Sequence, residues 1–219
     1  MKHGDIMNSK PPILEELLER YRRFKRDVHR EKAPLYKELA AGQSPRILFI
    51  TCSDSRVVPS AILSAEPGDL FVCQVVGNIV PPYGLLGGVS VTVEYAVSML
   101  EVDAIIVCGH SNCGAMGALA HLDRFASYPS IGSWLASSES AKRIVDAESD
   151  TSWDEARLVA RLTEENVIAQ LEHLETHPSV ALARRRGLRI FGWVYDIESG
   201  DVTSYDPPSG RFVPLETLA

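Results

Sequence analysis

The chain has 219 residues, of which 45% are hydrophobic and 23% charged, proportions that are ordinary for a globular protein with a full core. Its net charge of −7 argues against nucleic acid or an anionic membrane as a partner. No apolar run reaches membrane-spanning length, and residues 1–5 lack the apolar stretch of a signal peptide. We therefore expect a cytoplasmic protein, in which the four cysteines stay reduced and favour metal ligation over disulfides.

The N-terminal part of the chain predicts a tail followed by a helical arm. Residues 1–11 are polar and predict a flexible tail, and a single domain is expected over 12–219, with the arm at 12–40. Within the arm, Ile13 to Leu39 predicts a long amphipathic helix with a charged outer face. Its apolar stripe consists of Ile13, Leu14, Leu17, Leu18, Tyr21, Phe24 and Val28. The stripe packs either on its own domain or on a second subunit, and the sequence leaves both open.

The rest of the chain alternates between predicted strands and helices. Apolar runs predict strands over 46–51, 70–76, 104–108 and 188–197, helices over 87–100 and 153–175, and a hairpin or extended edge over 200–215. Strands that alternate with helices are typical of an α/β fold with a mainly parallel central sheet flanked by helices.

Two segments at predicted strand ends contain metal-ligand side chains. Cys52 follows the first strand directly, and His110 and Cys113 follow the third. Ligands of open α/β sheets bind beyond the carboxyl ends of the strands, so these distant segments are expected to meet. Cys, His and Cys are ligand types that Zn²⁺ takes, and three protein ligands leave the open position of a catalytic zinc site. The sequence therefore predicts one zinc ion per chain, whereas Cys73 and Cys108 lie in apolar runs and are expected to be buried thiols.

Asp54 and Arg56 accompany the first predicted ligand. Bound zinc lowers the pKa of its water and so generates a nucleophile near neutral pH. Asp54 is close enough in sequence to accept a hydrogen bond from that water, and Arg56 can hold the Asp54 carboxylate in a bidentate pair. Two other arrangements stay open: a surface ion pair between the two residues, and Asp54 turned inward as a fourth zinc ligand that closes the site.

The pattern Cys-x-Asp-x-Arg followed by His-x-x-Cys resembles the zinc motif of the beta-class carbonic anhydrases, and more closely their bacterial branch that accompanies cyanase. Further similar segments are 53–59, 67–72, 77–81, 94–97, 165–171, 176–178 and 192–197. The resemblance implies zinc-dependent reversible hydration of carbon dioxide to bicarbonate and a proton, by a homodimer or homotetramer. Two alternatives remain: hydrolysis of carbonyl sulfide or carbon disulfide on the same fold, and a catalytically impaired zinc-binding homologue.

The resemblance also implies a small substrate pocket beside the metal. By motif position, Phe71, Val76 and Tyr95 would form its apolar walls, and Gln43 would offer an amide to a substrate oxygen. Apolar walls suit carbon dioxide, and one amide donor can stabilise charge that grows on oxygen. Plain core packing is the other interpretation of the three apolar residues.

The chain departs from the resemblance at three positions. Gln74 and Val75 stand where the family usually has Arg-Asn, and Phe49 stands where some bacterial members have Trp. Because those members use the Arg and the Trp to hold an inhibitory bicarbonate, we expect that regulatory site to be missing. Of the six histidines, only His110 has a ligand context, and the other five are expected on the surface or on helices: His3, His29, His121, His173 and His177.

Overall fold

The computed structural model describes residues 12–150 and 152–218, and the tail predicted over 1–11 lies outside them. The chain divides into two compact units, the first ending at Gln43 and the second spanning Ser44–Ala219. Among the described residues, no helix combines the length and the apolar character needed to cross a membrane.

The first unit is helical but broken. It comprises helix α1 (Ile13–Arg23), a π-helical turn (Phe24–His29) and helix α2 (Ala33–Leu39). The prediction of one helix from Ile13 to Leu39 is therefore wrong at residues 30–32. Pro34 explains the break, because proline suits the first turn of a helix, whereas in the interior it removes a hydrogen bond and clashes with the preceding turn.

The second unit is built on one sheet of six strands in the order β2-β1-β3-β4-β5-β6. The strands are β1 (Ile47–Thr51), β2 (Leu70–Gln74), β3 (Ala104–His110), β4 (Arg189–Tyr195), β5 (Val202–Asp206) and β6 (Arg211–Pro214). Strands β1 to β4 are parallel, and β5 and β6 continue the sheet as an antiparallel hairpin. This confirms the predicted α/β fold with a mainly parallel sheet.

Seven α-helices connect and flank the strands in the described part of this unit. They are α3 (Pro59–Ile62), α4 (Gly88–Ser98), α5 (Gly114–Ala120), α6 (Pro129–Leu135), α7 (Glu139–Glu148), α8 (Glu155–Glu175) and α9 (Pro178–Arg184). The sequence predicted α4 and α8 and missed the others. Four of the missed helices have seven residues or fewer, too few turns to establish a helical period.

Helix α8 packs against the two central strands, β3 and β4, at two glycines. A Cβ atom at Gly192 on β4 would lie 2.8 Å from Val167 Cγ1, and one at Gly109 on β3 would lie 2.9 Å from Thr163 Cγ2. Any side chain at these positions would push the helix outward. The close packing places the polar side chains of α8 beside the carboxyl end of the sheet.

Candidate metal centre

The predicted metal ligands meet at the carboxyl end of the sheet. Cys52 follows β1, His110 is the last residue of β3, and Cys113 precedes the first turn of α5. Because Thr51 pairs with Cys108 in the parallel register, Cys52 comes next to the end of β3. One ligand atom from each of the three side chains lies within 4.8 Å of the other two, and all three residues are buried.

The His110 ring is oriented for metal binding. Its Nδ1–H donates a hydrogen bond to the Ser111 carbonyl oxygen at 3.0 Å. The other nitrogen, Nε2, therefore carries the lone pair, and it is buried with no hydrogen-bond partner in the described part of the chain. A buried acceptor without a partner is costly, and a metal ion satisfies it. This nitrogen and the two thiol sulfurs are ligand types that zinc takes, so these three residues would hold a zinc ion.

The protonation states of the Cys52 and Cys113 thiols are coupled. The neighbouring Cys113 thiol lowers the pKa of the Cys52 thiol, burial opposes this in part, and the backbone amides of Gly77 and Asp54 lower it further. The same contact, together with burial, raises the pKa of Cys113. The first proton therefore leaves the pair easily and the second does not. A divalent cation stabilises both thiolates at once, so metal binding releases the remaining proton.

Arg56 holds both carboxylate oxygens of Asp54. Asp54 Oδ1 accepts from the Arg56 backbone N–H at 3.0 Å and from Nε at 2.9 Å, and Oδ2 accepts from Nη2 at 2.8 Å. Arg56 Nη2 also donates to the Asn112 carbonyl at 3.1 Å, which ties the pair to the loop between the other two ligands. Asp54 Oδ2 lies 3.8 Å from His110 Nε2, so the carboxylate borders the ligand cluster while it is paired with Arg56.

The Asp54 carboxyl group should not titrate anywhere near neutral pH. The side-chain hydrogen bonds from Arg56 hold its pKa well below the usual range, and burial opposes them only in part. In the native protein, the ¹³C resonance of this carboxyl, assigned with Asp54→Asn, should stay at its ionised position from pH 8 to pH 5. In Arg56→Gln its midpoint should rise, and a midpoint between pH 5 and 8 in the unsubstituted protein would contradict the assignment of Arg56 as its partner.

The residues predicted to line a substrate pocket occupy different environments. The Phe71 and Tyr95 rings are stacked with centroids 5.8 Å apart, and Phe71 packs against the core of the second unit. Val76 and Tyr95 are 47% and 44% exposed, so plain core packing does not describe them in the single chain. Gln43 is the last residue of the first unit and is not part of the unit that contains the ligand cluster.

The Gln74 side chain donates hydrogen bonds to the loop that begins at Cys52. Its Nε2 donates to the carbonyl oxygens of Cys52 at 3.4 Å and Val57 at 3.3 Å. The side chain also lines a cavity of about 620 Å³ that Asp54 borders. Phe49 is fully buried, with its ring edge-to-face against Trp193 at 6.2 Å. Neither Gln74 nor Phe49 thus offers an anion a cationic group or an indole N–H.

A buried polar network behind the metal ligands was missed by sequence analysis. On α8, the Asn166 amide donates to the Gly77 carbonyl at 3.0 Å, and Gln170 Oε1 accepts from the Val80 backbone N–H at 2.8 Å. Gln170 Nε2 donates to Asn166 Oδ1 at 2.9 Å, which joins the two side chains. The available signal was the four-residue spacing of two amides on a helix whose neighbouring positions are apolar. The network fixes the loop that follows β2.

Two histidines extend this network along the same loop. His173 Nδ1 donates to the Val80 carbonyl at 2.8 Å, and His177 Nε2 donates to the Pro81 carbonyl at 3.0 Å. His177 is buried at the N-cap of α9, so the expectation of a surface or helical position is wrong for it. His177 is buried because the Pro81 carbonyl, which it contacts, needs a hydrogen-bond donor away from water.

Of the remaining predictions for cysteines and histidines, Cys108 is buried as predicted and Cys73 is half-buried. His3 lies outside the described residues.

Comparisons with known proteins agree with this fold and identify the family. The family model for carbonic anhydrase matches residues 47–202. A carbonic anhydrase of Pseudomonas aeruginosa is 49% identical over 204 residues, and carbonic anhydrase 1 of Escherichia coli O157:H7 is 47% identical, each match covering 92% of both chains. The solved beta-carbonic anhydrase CcaA is similar with a TM-score of 0.89 and 40% identity, over 93% of this chain and all of the other. The chain belongs to the carbonic anhydrase family, in its beta class.

Proposed function

We propose that the chain catalyses the zinc-dependent, reversible hydration of carbon dioxide to bicarbonate and a proton. The observation that supports this most directly is the buried Cys52–His110–Cys113 cluster in a chain of the beta-class family. When bound there, zinc supplies the Lewis acidity that makes water a nucleophile near neutral pH. As the water oxygen bonds to the carbon of carbon dioxide, the electron pair of one C=O π bond moves onto its oxygen, and one water proton is released to solvent, which gives bicarbonate.

The roles of the surrounding side chains follow from their contacts. Asp54 borders the ligand cluster, stays ionised, and accepts a hydrogen bond from the attacking water, which turns the water lone pair toward the substrate. Arg56 keeps the Asp54 carboxylate in this orientation and away from the inward position of a fourth ligand.

The proposed substrate pocket has apolar walls and a single amide donor. Phe71, Val76 and Tyr95 are its proposed apolar walls, and Gln43 is its proposed amide donor to a substrate oxygen. The exposure of Val76 and Tyr95 supports a pocket that a second subunit completes.

A stopped-flow assay with dissolved carbon dioxide tests the activity. The zinc-loaded protein should accelerate hydration catalytically, and the same protein stripped of zinc should not. Parallel assays with carbonyl sulfide and carbon disulfide address the alternative hydrolase activity, which the relatives named carbonic anhydrase do not favour. Turnover of either compound without hydration of carbon dioxide, or no turnover at all with full zinc, would contradict the proposal.

The proposed assembly is a homodimer or a homotetramer in which the helical arm contributes to the interface. The apolar stripe of α1 supports this, because Ile13 and Leu14 are 70% and 64% exposed. A similar solved chain, with 30% identity and a TM-score of 0.77, comes from work on two tetrameric beta-carbonic anhydrases of Sordaria macrospora.

Removal of residues 1–39 should therefore reduce the mass of the assembly or cause aggregation, because it takes away one side of an apolar contact. Light scattering measures the mass. As a matched pair of point variants, Leu17→Asp should have the same effect and Glu19→Ala on the charged face should not. An unchanged mass in both the truncated protein and Leu17→Asp would show that the arm is no interface element.

We also propose a cytoplasmic location and a place in the bacterial branch that accompanies cyanase. The high identity to two bacterial relatives supports a bacterial branch. Cell fractionation tests the location. Loss of cyanate tolerance on deletion of the gene would support the branch, and unchanged tolerance together with a general requirement for carbon dioxide would favour bicarbonate supply instead.

A further inference from the structure

A single peptide group joins Trp134 to the first metal ligand. The peptide between Val76 and Gly77 has its carbonyl oxygen on Val76 and its N–H on Gly77. Trp134 Nε1, on α6, donates to that carbonyl oxygen at 2.8 Å. On the opposite side, the N–H of the same peptide donates to Cys52 Sγ at 3.4 Å. The two hydrogen bonds strengthen each other, since a donor on the oxygen polarises the N–H.

The surroundings of Gly77 allow this peptide little freedom. Gly77 has φ of +70°, and a Cβ atom there would lie 3.2 Å from both Ala115 Cβ and Met116 Cε. Its own carbonyl is held by the buried Asn166 amide at 3.0 Å. The Trp134 ring packs against both large apolar clusters of the second unit, so its N–H is held in place by packing. The remaining freedom is rotation of the Val76–Gly77 peptide plane, and Trp134 opposes that rotation.

We propose that Trp134 is a positioning residue for the metal site, which orients the Val76–Gly77 peptide so that its N–H bonds to the Cys52 sulfur. This inference rests on the proposed zinc function of Cys52. The bond fixes the direction of the sulfur lone pairs and withdraws electron density from the thiolate. Groups that hold a metal ligand in this way tune both the metal affinity and the electron donation of the ligand.

The test replaces zinc by cobalt(II), whose thiolate charge-transfer band reports how strongly sulfur donates electrons. Trp134→Phe removes the N–H and keeps an aromatic ring. Its cobalt band should move to longer wavelength, because the thiolate loses a hydrogen bond, and zinc should pass to a chelator about 10-fold faster than from the unsubstituted protein. The matched control is Trp153→Phe, since Trp153 packs against one of the same apolar clusters and stacks under Arg157 instead of bonding to the loop.

An isosteric variant separates the hydrogen bond from packing. Benzothienylalanine at position 134 replaces the indole N–H by sulfur in a ring of nearly the same shape, and it should reproduce the band shift even if Trp134→Phe folds poorly. Bands and zinc-release rates that match the unsubstituted protein in this variant would overturn the inference. An equal shift in Trp153→Phe would do the same, because it would assign the effect to packing. Retained cobalt binding with no carbon dioxide hydration in the unsubstituted protein would instead count against the proposed function alone.

Discussion

Replacement of Cys113 by serine should reduce zinc from one ion per chain to almost none and abolish carbon dioxide hydration. The hydroxyl of serine is a poor ligand at neutral pH, and its loss of charge leaves one thiolate and one imidazole for the ion. Cys113 also precedes α5, and His110 Nε2 has no other partner in the described chain, so the loss of metal leaves buried polar groups unsatisfied. We therefore expect the variant to be less stable as well.

Metal analysis of the purified variant measures the effect directly. The matched control is Cys73→Ser, because Cys73 is a half-buried thiol on β2 that lies outside the ligand cluster. That variant should retain its zinc and its activity. Full zinc occupancy in Cys113→Ser would remove Cys113 from the ligand set.

Replacement of Asp54 by asparagine should lower kcat by about 10²-fold while zinc stays bound, because the attacking water loses the charged acceptor that orients it. Asparagine has the same shape, but it offers Arg56 one acceptor oxygen where the carboxylate offers two charged ones. The neutral amide accepts a hydrogen bond from the attacking water more weakly, and its NH₂ group cannot accept one. Arg56→Lys should show a smaller loss, since lysine keeps the charge but not the bidentate geometry.

Steady-state kinetics and zinc content should be measured on the same preparations. Asp103→Asn serves as the control, because Asp103 also pairs with an arginine, Arg46, but at the opposite end of β3. Its kcat should be unchanged. If Asp54→Asn kept the kcat of the unsubstituted protein, Asp54 would be only half of a surface ion pair.

The parts of the structure that the sequence predicted are those encoded in contiguous residues. The run Ile47–Thr51 is apolar because it is buried on both faces, and its end marks the position of Cys52. The ligand types of Cys52, His110 and Cys113 in two segments at predicted strand ends together predict a zinc site. The break after the π-helical turn was also encoded, in Pro34, but the prediction of one helix to Leu39 did not take this proline into account.

The parts that were missed depend on contacts between distant segments. In the sequence, Asn166 and Gln170 are ordinary helix residues. Their role becomes visible only in the fold, where their side chains bond to the loop at 76–83. Trp134 similarly has no motif, and only the fold brings its indole to the Val76 carbonyl. Val76 and Tyr95 are about half exposed in the single chain, so their packing there does not reveal the proposed role as pocket walls.

The two glycines that contact α8 influence the geometry of the metal site, although neither is a ligand. Gly109 and Gly192 set the distance between helix and sheet, and Asn166 stands on that helix while His110 stands on the sheet. The spacing of the helix and sheet layers thereby fixes how far the Gly77 loop lies from the sulfur of Cys52. A methyl group added at Gly192, several residues from any ligand, would increase the distance between α8 and the sheet. It would thereby shift the Gly77 loop relative to the Cys52 sulfur.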